Sequence, residues 1–255
     1  MNKTSELAKL FAKYKVYPKS CYDDSSPVRA FQRMFPGNYY SKDLKIFLSY
    51  QDYKPTQRGA DLPWWGKDFF NGKQDYRVMI ISQDTAMKDA KSIVLAAQFF
   101  PDISPNKYQE LIDEMGVDKY FGFNSWSKIR NQLVEWGIDF NFLYITDASK
   151  VYKKGSRKDW DFDREKSKEL LEAEIEFCKP DLIILLGGQP LCLLDKTKNY
   201  ASVVESGIPL LIKGKKCVVA PFFIGNGPVG NKGGKGFKKR LEIATILIKK
   251  VLGQC

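Results

Sequence analysis

The chain has 255 residues, of which 44% are hydrophobic and 14% aromatic, so it can bury a large core and is not expected to be disordered. Its 41 Lys and Arg residues outnumber 30 Asp and Glu, and the net charge of +11 favours a polyanionic partner, either nucleic acid or an anionic membrane surface. The sequence contains no histidine, which excludes Ser-His-Asp and Cys-His catalysis and any His-ligated metal.

The first part of the chain, residues 1–76, is predicted to be a helical and aromatic-rich extension packed on the core. Apolar residues recur at helical spacing in "SELAKLFAKY". In "DLPWWGKDFFNG", Trp64 and Trp65 either stack on nucleic-acid bases or pack a loop onto the core. The flanking Pro and Gly residues favour packing.

Residues 77–255 alternate between predicted strands and helices. The strands are "RVMIIS", "NFLYIT", "DLIILLG" and "KCVVAP". Because helices separate them, they predict a three-layer α/β/α sandwich with a central four-stranded parallel sheet. The predicted helices lie near residues 88–98, 106–115, 125–136, 163–178 and 237–251.

Polar residues follow the first two of these strands. Gln83 and Asp84 come directly after the first strand, and Thr146 and Asp147 end the second. Ligands of open α/β sheets bind at the carboxyl ends of the strands, so these residues are candidates for a site. In the alternative, Asp84 caps the helix that begins near Met87, and Asp147 caps the loop that follows it.

Two basic clusters follow predicted strand ends. Residues 213–240 contain eight Lys or Arg, no acidic residue and many glycines, and "SKVYKKGSRK" follows Asp147. Either cluster alone is typical of a solvated loop, but two clusters after two strand ends favour nucleic acid. The lysines predicted to contact phosphate groups are Lys150, Lys153, Lys232, Lys235 and Lys238.

Several motifs, in the right order, resemble those of the uracil-DNA glycosylase superfamily: "SQDTA", "LYITDASK", "DLIILLGGQPL" and "VVAPFFIGNGP" followed by "GFKKRLE". The resemblance covers roughly residues 77 to 250 and implies that family's fold. It implies that Asp84, beside Gln83, positions the attacking water, and that Thr146 and Asp147 contact the base. The resemblance makes Phe99 or Phe100 the residue that stacks on the base, although both are equally candidates for the core. It makes Phe222, Phe223 or Ile224 the wedge that enters the DNA.

Two departures from the family pattern affect the expected substrate. Ala220 stands where the family has His, and Asp147 stands where it has Asn. An Asn amide complements uracil, whereas a neutral carboxylic acid accepts from the amino group of cytosine and donates to its N3. We therefore expect a monofunctional DNA glycosylase acting on a non-uracil base, first a modified cytosine, in DNA repair or in defence against foreign DNA such as phage DNA.

Cysteine spacing and hydropathy set the expected compartment and cofactors. The five cysteines contain no C-x-x-C pair, which predicts neither a zinc site, nor an iron–sulfur cluster, nor a disulfide framework. No apolar run approaches the ~18 residues that span a bilayer, and no signal-peptide pattern opens the chain. We expect a cytoplasmic, metal-free and cofactor-free protein that binds DNA and no membrane.

Three alternatives stay open. The enzyme could instead remove uracil or a deaminated purine. A catalytically silent relative would only bind DNA, which the missing His would suit. An α/β protein that binds small nucleotides would show no affinity for long DNA.

Overall fold

A computed structural model describes most of the second half of the chain and shorter stretches of the first. Every structural statement below concerns these residues, which are 58–60, 63–66, 68–70, 76–83, 123–149, 151–153, 164–222 and 236–254, with Lys3, Glu6, Leu7, Leu10 and Lys13. Within these ranges, no helix has the length and apolar character needed to cross a membrane.

Eight strands and five α-helices lie in this part of the chain. The strands are β1 (Arg58–Ala60), β2 (Trp64–Trp65), β3 (Val78–Ser82), β4 (Leu143–Asp147), β5 (Val151–Lys153), β6 (Leu182–Leu186), β7 (Leu210–Ile212) and β8 (Lys215–Ala220). The helices are α1 (Phe123–Glu135), α2 (Arg164–Cys178), α3 (Gly188–Leu194), α4 (Tyr200–Ser206) and α5 (Phe237–Val251), and a 3₁₀ turn covers Phe140–Phe142.

Six of the strands form one mostly parallel sheet in the order β2-β4-β3-β6-β8-β7. Strand β3 runs parallel to β4 and β6, and β6 runs parallel to β8. Every residue of β4 and β6 is buried, as expected for central strands of a covered parallel sheet. The predicted mixed α/β architecture is therefore confirmed.

The sheet has six strands, so the predicted four-stranded sheet is corrected at its edges. The four predicted strands are its four central, mutually parallel members, and β2 and β7 are added outside them. Strand β7 runs antiparallel to β8 and is joined to it by Lys213 and Gly214, whose φ values are 49° and 72°. Positive φ at both turn residues is typical of a two-residue hairpin turn. Strands as short as β2 and β7 do not show the alternation of apolar and polar residues from which a strand is predicted.

Three predicted helices are confirmed and two are not described. Helices α1, α2 and α5 match the predictions at 125–136, 163–178 and 237–251 to within two residues. The helices predicted at 88–98 and 106–115 lie outside the described residues. Sequence reading missed α3 and α4, because seven residues are too few for a clear helical period.

Trp64 and Trp65 were predicted to pack a loop onto the core; they are buried as predicted, but they form the edge strand β2 of the sheet. Their exposed fractions are 7% and 8%. The ring of Trp65 stacks on that of Tyr144 in β4, with 6.1 Å between centroids. The backbone N–H of Gly66 donates to the carbonyl of Leu143 at 2.8 Å, and the backbone of Phe140 and Asn141 leaves no room for a Cβ atom at Gly66.

The chain divides into two compact units, each made of several segments. In the first unit, β1 and β5 form a two-stranded antiparallel ribbon, and the ammonium group of Lys3 lies 5.1 Å from the ring centroid of Phe177. The predicted single boundary after residue 76 stays a prediction. The first unit contains residues 1–64, 84–123 and 149–177, and the second contains 65–83, 124–148 and 178–255.

Candidate functional site at the carboxyl edge of the sheet

The four central strands end level with one another. The register pairs Ser82 with Asp147 across β3 and β4, and Leu186 with Ala220 across β6 and β8. Strands β3 and β6 are also paired in parallel, one residue before these ends. The last residues of four neighbouring strands therefore form a row along one edge, where open α/β sheets bind their ligands.

The polar centre of this row is a hydrogen bond between Ser82 and Asp147. The Ser82 hydroxyl donates to Oδ1 of Asp147, whose side chain is 1% exposed. The backbone N–H of Ala148 donates to the Ser82 carbonyl at 2.9 Å, which adds a second link between the two strand ends. The Asp147 carboxyl group is thus held against β3, while its capping of the following loop stays a prediction.

Two opposing effects act on this carboxyl group. Burial disfavours the ionised form of a carboxylic acid, whereas a hydroxyl that donates to it favours ionisation. The Ser82 hydroxyl donates to Oδ1, so this oxygen acts as an acceptor. A carboxylic acid in its neutral form can accept at one oxygen and donate at the other.

Thr146 and Asp147 do not share a face of the sheet. Successive residues of a strand point to opposite faces, so the Thr146 side chain lies on the side away from Asp147. Thr146 is fully buried, and Gln83 is half-buried directly after β3. Of the two predicted base contacts in β4, Asp147 is the one that faces Ser82.

The turn after β6 uses a glycine where another residue would be strained. Gly187 has φ 87° and ψ 179°, and its N–H donates to the Ala220 carbonyl at 2.8 Å. A Cβ atom at this position would lie 3.3 Å from Cβ of Phe222. Phe222, one of the predicted wedge residues, is therefore half-buried against the glycine turn.

Gly188, the next residue, lies beside the ring of Tyr200, and this ring in turn lies near Arg240 at the start of α5. A Cβ atom at Gly188 would lie 3.3 Å from Tyr200, and the Arg240 guanidinium carbon lies 5.7 Å from the centroid of the Tyr200 ring. Arg240 also donates twice to Oε1 of Glu205, at 2.6 and 2.8 Å. Burial raises the pKa of Tyr200, and the nearby Arg240 charge partly offsets this rise.

The glycine pair therefore anchors the residues on both sides of the basic segment 223–235. Phe222 precedes this segment and packs at Gly187, whereas Arg240 follows it and is joined to Gly188 through Tyr200. Arg240 belongs to the predicted basic cluster, but its charge is already engaged by Glu205.

Sequence reasoning missed Ser82, Tyr200 and Glu205 as members of this region. The only sequence signal for Ser82 is its place before the Gln83–Asp84 pair, because its partner depends on strand register. Nothing local in the sequence links Glu205 to Arg240, which lies far along the chain.

The other predicted site residues are either dispersed or not described. Lys238 is exposed in the first turn of α5, and Lys153 lies in β5 of the first unit. The predicted residues outside the described part of the chain are Asp84, Phe99, Phe100, Lys150, Phe223, Ile224, Lys232 and Lys235. Among the residues that are described, no three His, Cys, Asp or Glu side chains form a group that could hold a metal ion.

Fold and site together define an α/β protein whose mostly parallel sheet carries a buried acid–hydroxyl pair at its carboxyl edge. Comparison with known proteins adds no relative: no protein-family model and no curated protein matches the chain. The resemblance to the uracil-DNA glycosylase superfamily rests on the sequence motifs alone.

Proposed function

We propose that the protein is a monofunctional DNA glycosylase of the uracil-DNA glycosylase type, with a three-layer α/β/α sandwich and a cytoplasmic location. It hydrolyses the N-glycosidic bond of a flipped-out base and leaves an abasic site. The observation that carries this proposal is the buried Asp147 carboxyl group, bonded to Ser82 at the level edge of four parallel strands. Gln83, the first residue of the predicted water-positioning pair, follows β3 at the same edge.

The reaction requires both a carboxylate and access to the base. Glycosidic cleavage develops positive charge on the sugar, which a carboxylate stabilises while it orients the attacking water. Asp84 has this role in the proposal. The base must leave the duplex first, because its reactive bond is not accessible inside the stack. Phe222, anchored at the glycine turn, is the proposed wedge.

The start of α5 supports a DNA partner. Its first turn contains Lys238, Lys239 and Arg240 and no acidic residue. Cations at a helix N-terminus are disfavoured by the helix dipole, which instead attracts anions such as phosphate. The two exposed lysines of this turn are therefore better placed to contact a DNA backbone than to stabilise the helix.

The burial of Asp147 supports cytosine rather than uracil as the parent base, because burial favours the neutral carboxylic acid. With Oδ1 of Asp147 as acceptor and a proton on Oδ2, the neutral acid complements the N4 amino donor and N3 acceptor of cytosine. A proton passed toward N3 would also ease the departure of a base that leaves poorly as an anion. An enzyme that removed unmodified cytosine would damage the genome of its own host. The proposed substrate is therefore a modified cytosine, as in foreign DNA.

A catalytically silent DNA-binding relative is the second candidate function. Ala220 occupies the position of the family's His and is fully buried in β8, so it offers no side-chain donor to a leaving base. The other alternative, an enzyme that removes uracil or a deaminated purine, differs from the main proposal only in its substrate.

Abasic-site mapping tests this proposal. Single- and double-stranded DNAs carrying cytosine, modified cytosines, uracil or hypoxanthine are incubated with the protein, and abasic sites are detected by alkaline strand cleavage. We expect cleavage at a modified cytosine. We also expect Asp84→Asn to lower base release about 10²-fold or more with DNA binding unchanged, as for the loss of a positioned acid–base group.

Glu169→Gln is the matched control, because Glu169 is exposed on α2 and its change also neutralises one carboxylate. DNA binding without abasic sites on any substrate would support the silent relative. Cleavage at uracil alone would replace cytosine with uracil as substrate. Unchanged turnover in Asp84→Asn would leave Asp84 as a helix cap.

A further inference from the structure

The hairpin of β7 and β8 divides the basic cluster at 213–240 between two ends of the sheet. Strand β8 begins at Lys215 and ends at Ala220, which lies on the carboxyl edge beside the candidate site. At a rise of about 3.3 Å per residue, Lys215 lies about 16 Å from that edge. Three of the eight basic residues of the cluster, Lys213, Lys215 and Lys216, therefore lie at the opposite end of the sheet from the candidate site.

Strand β7 is the last strand of the described sheet, and large apolar side chains are exposed there. Leu211, in the middle of β7, is 75% exposed, and Ile208, two residues before the strand, is 66% exposed. They are two of the four large apolar residues that are exposed in the described part of the chain. Apolar side chains exposed on an edge strand favour pairing with a further strand.

The backbone of Leu211 is directed to this edge. The two-residue turn at 213–214 is closed by Ile212 and Lys215, and the residues that close such a turn exchange both backbone hydrogen bonds. Bonded and non-bonded pairs alternate along an antiparallel ladder, so Leu211 and Lys216 form a non-bonded pair. The N–H and C=O groups of Leu211 therefore point away from β8, where an added antiparallel strand can bind them.

The charge of the hairpin indicates which kind of strand it accepts. Residues 206–222 contain three lysines and no acidic residue, and the whole chain has a net charge of +11. Lys216 is exposed and lies opposite Leu211, so both side chains are on the same face of the hairpin. An acidic strand with a central apolar residue complements this pair, whereas a second copy of the chain would add further positive charge. Duplex DNA would neutralise the lysines but leave the apolar side chains exposed.

We propose that the edge of β7 binds an extended acidic segment of a partner protein as an additional antiparallel strand. The central apolar residue of this segment pairs with Leu211 through two backbone hydrogen bonds, and its acidic residues lie beside Lys213 and Lys216. In this mode of recognition, the backbone bonds give affinity and the alternate side chains give specificity. The surface is separate from the candidate site, so the proposal does not depend on the proposed function.

A synthetic peptide tests the proposal with the unaltered protein. The fluorescein-labelled peptide Glu-Glu-Val-Leu-Val-Glu-Glu is titrated with the protein, and fluorescence anisotropy measures its binding. We expect binding that is lost when Lys replaces every Glu of the peptide. N-methylation of the central Leu removes the N–H that donates to the carbonyl of Leu211, so we expect it to weaken binding about tenfold. Only the peptide changes in this comparison, so protein folding has no part in the result.

Matched protein variants locate the binding surface. Leu211→Pro removes the outward N–H but no bond to β8, so it should weaken binding about tenfold at a similar melting temperature. Lys216→Glu should weaken binding about fivefold, the scale of an exposed ion pair. Lys239→Glu, in the same basic cluster but in the first turn of α5, should not. Val134→Ser, at an exposed apolar residue of α1, should also leave binding unchanged.

Any of three results would overturn the proposal. The first is equal affinity for the plain and the N-methylated peptide. The second is displacement of the peptide by unmodified duplex DNA, which would make the hairpin a DNA contact. The third is a wild-type dimer that Leu211→Pro converts to a monomer, which would make a second copy of the chain the occupant of this edge. A protein that binds the peptide in this way but releases no base would refute only the glycosylase activity.

Discussion

At the scale of single residues, we expect Asp147 to decide which base the proposed enzyme accepts. Asp147→Asn should shift preference toward uracil-containing DNA, because an amide donates to O4 and accepts from N3–H. Single-turnover rates of wild type and of Asp147→Asn on both substrates measure this shift.

Ser82→Ala is the matched control for this prediction. It removes the hydroxyl that donates to Oδ1 but leaves the carboxyl group in place. We expect slower release of the cytosine-type base and no increase in activity on uracil. The carboxyl group remains in this variant, but no hydroxyl determines which of its two oxygens is the acceptor. A wild-type preference for uracil, or an Asp147→Asn variant with unaltered preference, would contradict the cytosine assignment.

At the scale of elements, the glycine turn between β6 and α3 should tolerate no side chain. Gly187 has a conformation that is essentially restricted to glycine, and its Cβ position is crowded by Phe222. We expect Gly187→Ala to lower the free energy of unfolding by about 1–3 kcal/mol, measured by urea denaturation.

Gly214→Ala provides the comparison, because Gly214 also has positive φ but no atom lies within 4 Å of its Cβ position. This hairpin variant should lose less stability than Gly187→Ala, since only the backbone conformation opposes it. Equal losses in the two variants would show that the Phe222 contact adds no strain.

At the scale of the whole molecule, burial should control which thiols react. Cys178 and Cys217 are buried in the folded chain, whereas Cys192 is exposed. Burial also raises the pKa of the Cys217 thiol well above its ordinary value of 9.0. With iodoacetamide at about pH 8, mass spectrometry should show rapid alkylation of Cys192 and alkylation of the two buried thiols only on unfolding.

The same shift predicts the sign of a pH effect on stability. Because the folded state holds the Cys217 proton more tightly, its contribution to stability is present below pH 9.0 and decreases as pH rises above that value. Cys217→Ser should weaken this decrease in urea unfolding at alkaline pH. Rapid native alkylation of Cys217 would contradict the buried position.

The sequence alone determined the parts of this protein that depend on local pattern. Short apolar runs bounded by polar residues located the four central strands, and helical spacing located α1, α2 and α5. The rule that parallel strands end at one edge then brought Gln83 and Asp147 to a common region. The excess of basic residues favours a polyanionic partner from composition alone, and this partner stays a prediction.

Only the tertiary structure decided which residues are neighbours across strands and between distant elements. The register pairs Ser82 with Asp147 and Arg58 with Lys153, and helix packing joins Arg240 to Glu205. Hydrophobic periodicity is a local property that repeats along one strand, whereas pairing depends on the chain closing over many residues and on which faces become buried. The acid–hydroxyl pair therefore could not be read from motifs, although one of its two partners, Asp147, was.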